Sequence, residues 1–290
     1  MFGKLYHKAL NHIRAARLFM QAGGTASSML LYPLRRRSAI DPRCQITFRN
    51  GITLSAPPDL PLLNLIEEIL IRDCYSTSAT GLHSSATVVD IGANVGVFSV
   101  LVAAAHPDAR LIAVEPSHAN RTFLARNLAS NRLTNVAIAP VACGARKGEG
   151  VLYTRGQGVH HSLFNRNMSG SAFIPLAITP IWSLQDIFDE FNVVTCDLLK
   201  LDCEGAEYDI LFHSSRHTLQ RIKRISMEYH LGFNHHSVAQ LEQLLTSCGF
   251  LFNRTSSDEE GTGMLYATNQ ATPTQTLFRD NSTHSRSCFA

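Results

Sequence analysis

Residues able to do chemistry stand at a few places along the chain, each where an apolar run ends. Asp90, Gly92, Asn94 and Gly96 interrupt VVDIGANVGVFSVLVAAA (88–105), and carboxylates follow at Glu115, Asp202, Glu204 and Glu228, the last of them two residues before His230. Gly92 can take backbone conformations closed to other residues and leaves room for a ligand, while Gly96 lets the next helix approach the strand. Asn94 can turn the loop through its own backbone or offer its amide to a ligand. A carboxylate at Glu115 can accept hydrogen bonds from both hydroxyls of a ribose. The plainer alternative is that Glu115 caps the helix after it. His230 can take a proton from an alcohol as general base, with Asp202 orienting it or binding a cofactor and Glu204 alongside. Alternatively Asp202, Glu204, Glu228 and His230 hold a divalent ion that polarises the acceptor. Their spacing does not define a ligand set, so the metal stays unassigned.

These residues need a frame that gathers distant strand ends. Strand patterns at 87–91, 110–114, 136–140, 198–202 and 224–230 alternate with helical patterns near 96–106, 118–130, 183–191 and 206–213. Such alternation requires a parallel sheet with helices on both faces. Ligands bind such sheets outside the carboxyl ends of the strands, which is where Asp90, Glu115 and Asp202 fall. Glu228 and His230, two apart, share one strand face, and adjacent strands would put Asp202 and His230 on one rim. Ser117 is a suitable cap for the helix over 118–130, and Ser237 and Gly249 bound another. FLFNRTSS and GMLYATN flank DEEGTG, a connection too short for a crossover helix, so these two strands must pair antiparallel. The third strand ends in VACG, whose small Ala142 and Cys143 suit a position beside an adenine ring. TRGQGVHHSLFNRNMSGS (154–171) reads as a long polar loop folding over the acceptor, with His161 and Ser162 touching ligand.

The dinucleotide fingerprint Gly-x-Gly-x-x-Gly lacks its second glycine here, since Asn94 stands there. That glycine admits pyrophosphate against the backbone, so a cofactor without phosphates fits better. The net charge of +3 is uneven: residues 1–40 hold seven Lys/Arg and no acid, leaving 19 basic and 23 acidic residues in the rest. The main body therefore offers no broad basic surface, and no nucleic-acid partner is expected. Seven cysteines without a C-x-x-C pair suit a reduced, cytoplasmic protein and no cysteine-built zinc site. The basic start, MFGKLYHKALNHIRAARLFM, has apolar residues at helical spacing. It reads as a helix packed on the main domain, as a peripheral membrane contact, or as a transit peptide. Asn50-Gly51 marks a hairpin before a helix at 62–70, giving a helix, hairpin and helix extension over 1–85. The main domain spans 86–270, and the Thr/Ser-rich tail 271–290 reads as disordered.

VVDIGANVGVFSV, LIAVEPSHANRTFLARNLASN, VAIAPVACG and LLKLDCEGAEYDIL, in this order, resemble the FkbM family of S-adenosylmethionine-dependent methyltransferases. The resemblance covers about residues 75–255, and Lys200–Glu207 is its most specific element. It implies an α/β Rossmann-like class I methyltransferase fold, a seven-stranded, mostly parallel sheet with a C-terminal antiparallel hairpin. It implies S-adenosylmethionine as cofactor, and the residues whose positions suit holding it are Asp90, Gly92, Asn94, Gly96, Glu115, Ala142 and Cys143. The activity implied is O-methylation of a sugar, a glycan or lipid headgroup, or another small natural product. Cys203 stands where the family has an aliphatic residue, and Cys143 where a polar one is common. The competing readings are an NAD-type oxidoreductase and a non-catalytic, membrane-peripheral protein that keeps the fold.

Overall fold

A computed structural model describes residues 44–270 apart from 59, 72, 76–80, 156–159, 166–173, 234, 235 and 257–260. The basic start at 1–22 and the tail at 271–290 lie outside the described residues.

The frame is a mixed sheet of seven strands in the order β12-β13-β11-β10-β3-β4-β5. Its parallel members are β3 (Thr87–Ile91), β4 (Arg110–Val114), β5 (Val136–Ala139), β10 (Leu198–Leu201) and β11 (Arg224–His230). β12 (Phe250–Arg254) and β13 (Thr262–Asn269) form the antiparallel hairpin, with β13 inserted against β11. Alternation along each strand divides two cores. Val88, Leu111, Ala113 and Leu198 join one, and Val89, Ile91, Ile112, Val114, Leu199 and Leu201 join the other. Helices α2 (Val97–Ala105) and α3 (His118–Ser130) cover the first face. Helices α4 (Leu184–Glu190), α5 (Glu207–His213) and α7 (Val238–Ser247) cover the second, with the short α6 (Arg216–Gln220) beside them. Ser117 caps α3, and Ser183 and Ser237 form capping boxes on α4 and α7.

The leading segment shares the first core. The β1 (Cys44–Thr47) and β2 (Thr53–Ala56) hairpin turns at Asn50-Gly51, and α1 (Leu62–Ile66) continues into a π-helical turn, Glu67–Ile71. Ile46, Leu54, Leu62, Ile66 and Tyr75 are buried with Val88 and Phe98. Asn127 of α3 stitches the hairpin down: its Oδ1 accepts from Ser55 N at 2.8 Å, and its Nδ2 donates to Ser55 O at 2.9 Å.

The segment read as a loop at 154–171 is in part a second sheet. β6 (Ala142–Cys143), β7 (Gly148–Arg155), β8 (His160–Ser162) and β9 (Ile174–Trp182) pair in the order β6-β9-β7-β8. Pro175 and Pro180 argue against a strand in the sequence, but β6 reaches only Ile181 and Trp182, so most of β9 runs along an edge. Among the described residues no helix is long and apolar enough to cross a membrane.

Candidate functional site

The carboxyl ends of β3, β4 and β10 open into a solvent-facing cleft. Its floor is set by a main-chain contact. Gly92 sits at φ +78°, and a Cβ there would stand 1.8 Å from the carbonyl oxygen of Asp202. Only glycine lets the β3 loop lie this close to the end of β10. Gly96, at φ +84°, makes room for Leu124 of α3, so its close approach is to the next helix rather than to the strand.

Glu115, at the end of β4, is 4% exposed and lines the cleft. Its Oε2 accepts from the Asn94 amide at 2.9 Å and its Oε1 from the Ser117 amide at 2.8 Å. Burial pushes its pKa up to about 7, against the opposing pull of those two amides. The α3 cap belongs to Ser117, whose hydroxyl accepts from Asn120 N, so Glu115 is not that cap. Asn94 takes φ 53°, and its buried Oδ1 has no hydrogen-bond partner among the described residues. Ala142 and Cys143 are buried along the same wall. Burial pushes the Cys143 thiol up, so it stays protonated and behaves as a small apolar group.

Asp90 does not face the cleft. It is fully buried, with Ser99 Oγ donating to Oδ2 at 2.7 Å and Lys200 Nζ 3.0 Å from Oδ1. Lys200 also donates to Gly92 O at 2.9 Å and lies 3.8 Å from Asp202 Oδ2. Burial disfavours the ammonium, but Asp90 and Asp202 outweigh it and raise the lysine pKa. One β10 side chain thus ties the β3 loop to the acidic rim.

That rim holds Asp202, Glu204, Glu228 and His230. β10 and β11 pair Leu201 with Met227, and the continuing register brings Asp202 beside Glu228. Tyr75 donates to Asp202 Oδ2 at 2.8 Å. Burial raises the Asp202 carboxyl, but Lys200 and His230 outweigh it and hold the pKa below the usual range. Burial, and then Asp202, push Glu228 well above its ordinary value. His230 Nδ1 lies 3.1 Å from Glu207 Oε1, so Glu207 orients the imidazole in the place expected for Asp202. Burial lowers the His230 pKa, but Glu207, Glu204 and Glu228 overcome it and hold the ring cationic well above the ordinary range. Glu207 is itself fixed by the amides of Cys203 and Gly205. Glu204 and Asp202 line the cleft directly, and Glu204 takes the left-handed φ 53°. Ser162 Oγ donates to Glu204 O at 2.7 Å, while His161 lines the cleft opposite, near Asn120 Nδ2 at 3.2 Å. Of the two residues assigned to ligand contact, the second sheet therefore brings His161 to the cleft, while Ser162 is buried and spends its hydroxyl on the protein.

Three contributors were not assigned from the sequence. Lys200 has a signal, since it is a lone charge inside a strand that is otherwise apolar and buried. Glu207 looks like any acid opening a helix. Tyr75 carries no local signal at all.

The family model for the methyltransferase FkbM domain matches residues 90–252, more than half of the chain. The AMB antimetabolite synthetase AmbE of Pseudomonas aeruginosa is 26% identical over 196 residues, covering 57% of this chain and 9% of that protein. Methyltransferase sdnD of Sordaria araneosa is 25% identical over 182 residues, covering 51% of this chain and 66% of its own length. The chain thus spans less than two thirds of either relative. Among solved structures, an FkbM methyltransferase from Methylobacillus flagellatus superposes with TM-score 0.42 and 12% identity, over 90% of this chain and 60% of that one.

Proposed function

The chain belongs to the FkbM methyltransferase family, and from that premise we propose that it methylates a hydroxyl oxygen of a sugar, a glycan or lipid headgroup, or another small natural product. The methyl donor in this reading is S-adenosylmethionine. The observation that carries the reading is the buried Glu115 carboxylate. Each of its oxygens is fixed by a main-chain amide, and it lines the same cleft as Asn94, whose buried Oδ1 has no hydrogen-bond partner among the described residues. A carboxylate accepts from two ribose hydroxyls, Asn94 Oδ1 accepts one donor more, and Ala142 and Cys143 offer a flat apolar wall to a base. Gly92 keeps the floor free of side-chain atoms. When bound, S-adenosylmethionine supplies an electrophilic methyl group on a sulfonium sulfur.

The chain's own residues then have to place an acceptor oxygen and remove its proton. Glu204 and Asp202 are the ionisable groups of the rim that line the cleft. Of these two we assign Glu204 as the proton acceptor and Asp202, which receives Tyr75 and faces Lys200, as the group that positions the acceptor. The carboxylates around His230, expected as the base, raise its pKa and favour the protonated ring, which takes no proton from an acceptor, so in this reading it balances charge behind the rim. Glu204 holds a backbone conformation rare for a side-chain-bearing residue, a cost of ~1–3 kcal/mol of the kind concentrated at functional sites. We assign catalysis to residues 86–270, with Tyr75 contributed by the leading segment.

The test is direct. Calorimetry and thermal shift should show binding of S-adenosylhomocysteine and none of NAD. Incubation with labelled S-adenosylmethionine and glycan, lipid and metabolite fractions should yield a labelled small-molecule product by mass analysis. Binding of NAD alone, or label only on nitrogen, sinks the reading.

A further inference from the structure

The rim gathers more acidic groups than cationic ones. Glu68, Asp202, Glu204, Glu207 and Glu228 act on one another there, against Lys200 and His230. Lys200 is already closer to Asp90, at 3.0 Å, than to Asp202, at 3.8 Å. Two half-buried carboxyls side by side, Asp202 and Glu228, favour a shared proton or a cation between them. The ligand atoms of Asp202, Glu228 and His230 all lie within 4.8 Å of one another. His230 is 8% exposed, and with Nδ1 held by Glu207, Nε2 is the nitrogen left over. Nε2 makes no hydrogen bond with the described residues, and Glu204 Oε2 stands 3.8 Å from it. A carboxylate on one nitrogen, with the other turned towards acids, is how proteins fix the tautomer of a metal-ligating histidine. Asp202 is fixed on Oδ2 by Tyr75 and Lys200, and it also shares a side-chain hydrogen bond with Glu228, the proton of which a cation would replace.

We propose that Asp202, Glu228 and His230 Nε2 bind a divalent first-row cation, with Glu207 as the positioning residue. Two carboxylates and one imidazole suit Mn²⁺ or a similar ion better than Mg²⁺ or Ca²⁺, which favour all-oxygen ligands. Binding displaces the Nε2 proton and any proton shared by the two carboxyls. The purpose rests on the methyltransferase reading: a cation here binds the acceptor hydroxyl and lowers its pKa, and Glu204 takes the proton.

The full chain, freed of metal by chelator and gel filtration, is titrated with Mn²⁺ by calorimetry. Binding should saturate at about one ion per chain, and the bound Mn²⁺ should show ¹⁴N coupling from an imidazole by pulsed EPR. Glu228→Gln should weaken binding at least about tenfold and Glu207→Gln by roughly 10–100-fold, while Glu115→Gln leaves it unchanged. No binding, or an all-oxygen signal in the wild type, overturns the proposal even if neither variant folds. S-adenosylhomocysteine titrated in parallel separates the two readings. If it binds and Mn²⁺ does not, the cation fails and the transferase stands; if Mn²⁺ alone binds, the site stands without it.

Discussion

The two ends of the cleft are held by different physics. At the β3–β4 end, Glu115 is fixed by the amides of Asn94 and Ser117, and the floor is two main chains in contact at Gly92 and Asp202. At the β10–β11 end, position comes from side chains: Tyr75 on Asp202, Glu207 on His230, and Lys200 between Asp90 and Asp202. Main-chain donors cannot be mutated away and suit a ligand common to a whole family. Side-chain charges can be exchanged one at a time, which suits an acceptor that varies. Lys200 belongs to both ends, because it also donates to Gly92 O.

Changes at the acceptor end should hit turnover and spare cofactor affinity. Glu204→Gln removes the proposed proton acceptor while keeping size, and kcat should fall by roughly 10²–10⁴-fold. Calorimetry should give the same S-adenosylhomocysteine affinity as wild type. A variant with full kcat returns proton removal to another member of the rim.

Lys200→Met should break the division between the two ends. It leaves buried Asp90 without its cation, which costs ~3–5 kcal/mol for a buried pair with one partner removed. Chemical denaturation should show that loss, and any folded fraction should bind cofactor poorly because the Gly92 loop has lost its tether. Loss of turnover alone, with stability and cofactor affinity intact, would mean the two ends are not mechanically joined.

Glu115→Gln should do the reverse of Glu204→Gln. The neutral amide keeps the shape but gives up a charged acceptor, worth ~1.5–3 kcal/mol. Affinity for S-adenosylhomocysteine should fall by roughly 10–150-fold, with kcat at saturating cofactor little changed. Equal affinity would leave Glu115 as a loop anchor only.

What could be read from the sequence follows the same division. Strands β3, β4, β5, β10 and β11, the terminal hairpin, and Glu115 with the glycine loop are local patterns: apolar alternation ending in a polar residue. The second sheet was hidden because Pro175 and Pro180 punctuate β9, and its pairing is set by partners across the insertion. The partners of the rim were hidden for a further reason. Tyr75 lies 127 residues from Asp202, and Glu207 lies 23 from His230, so neither bond has a spacing rule. Asp90 shows the opposite failure, since its position at a strand end marked it for the ligand, but Ser99 and Lys200 take both of its oxygens.

The smallest effect expected is a pH dependence confined to the cofactor end. Burial raises Glu115 from 4.5 to about 7, so in the ligand-free protein its carboxyl is protonated below that pH. In the proposed reading ribose hydroxyls donate to the ionised form, so binding below about 7 must first expel a proton. Each pH unit there costs ~1.4 kcal/mol, and affinity should fall up to about tenfold per unit, then level off above about 7. Stability of the ligand-free protein runs the other way. A carboxyl whose pKa is raised by folding contributes stability that is fully present below its unfolded value of 4.5 and is lost as pH rises through about 7. That loss is ~3 kcal/mol for so buried a group, and bound cofactor should offset it. Glu115→Gln has no proton to exchange, so it should flatten the affinity profile and the matching part of the stability profile. Because the acidic rim is intact in that variant, whatever pH dependence survives in it belongs to the acceptor end. An affinity profile that keeps its slope after Glu115→Gln would place the titrating group at the rim, and the two ends would then share one proton.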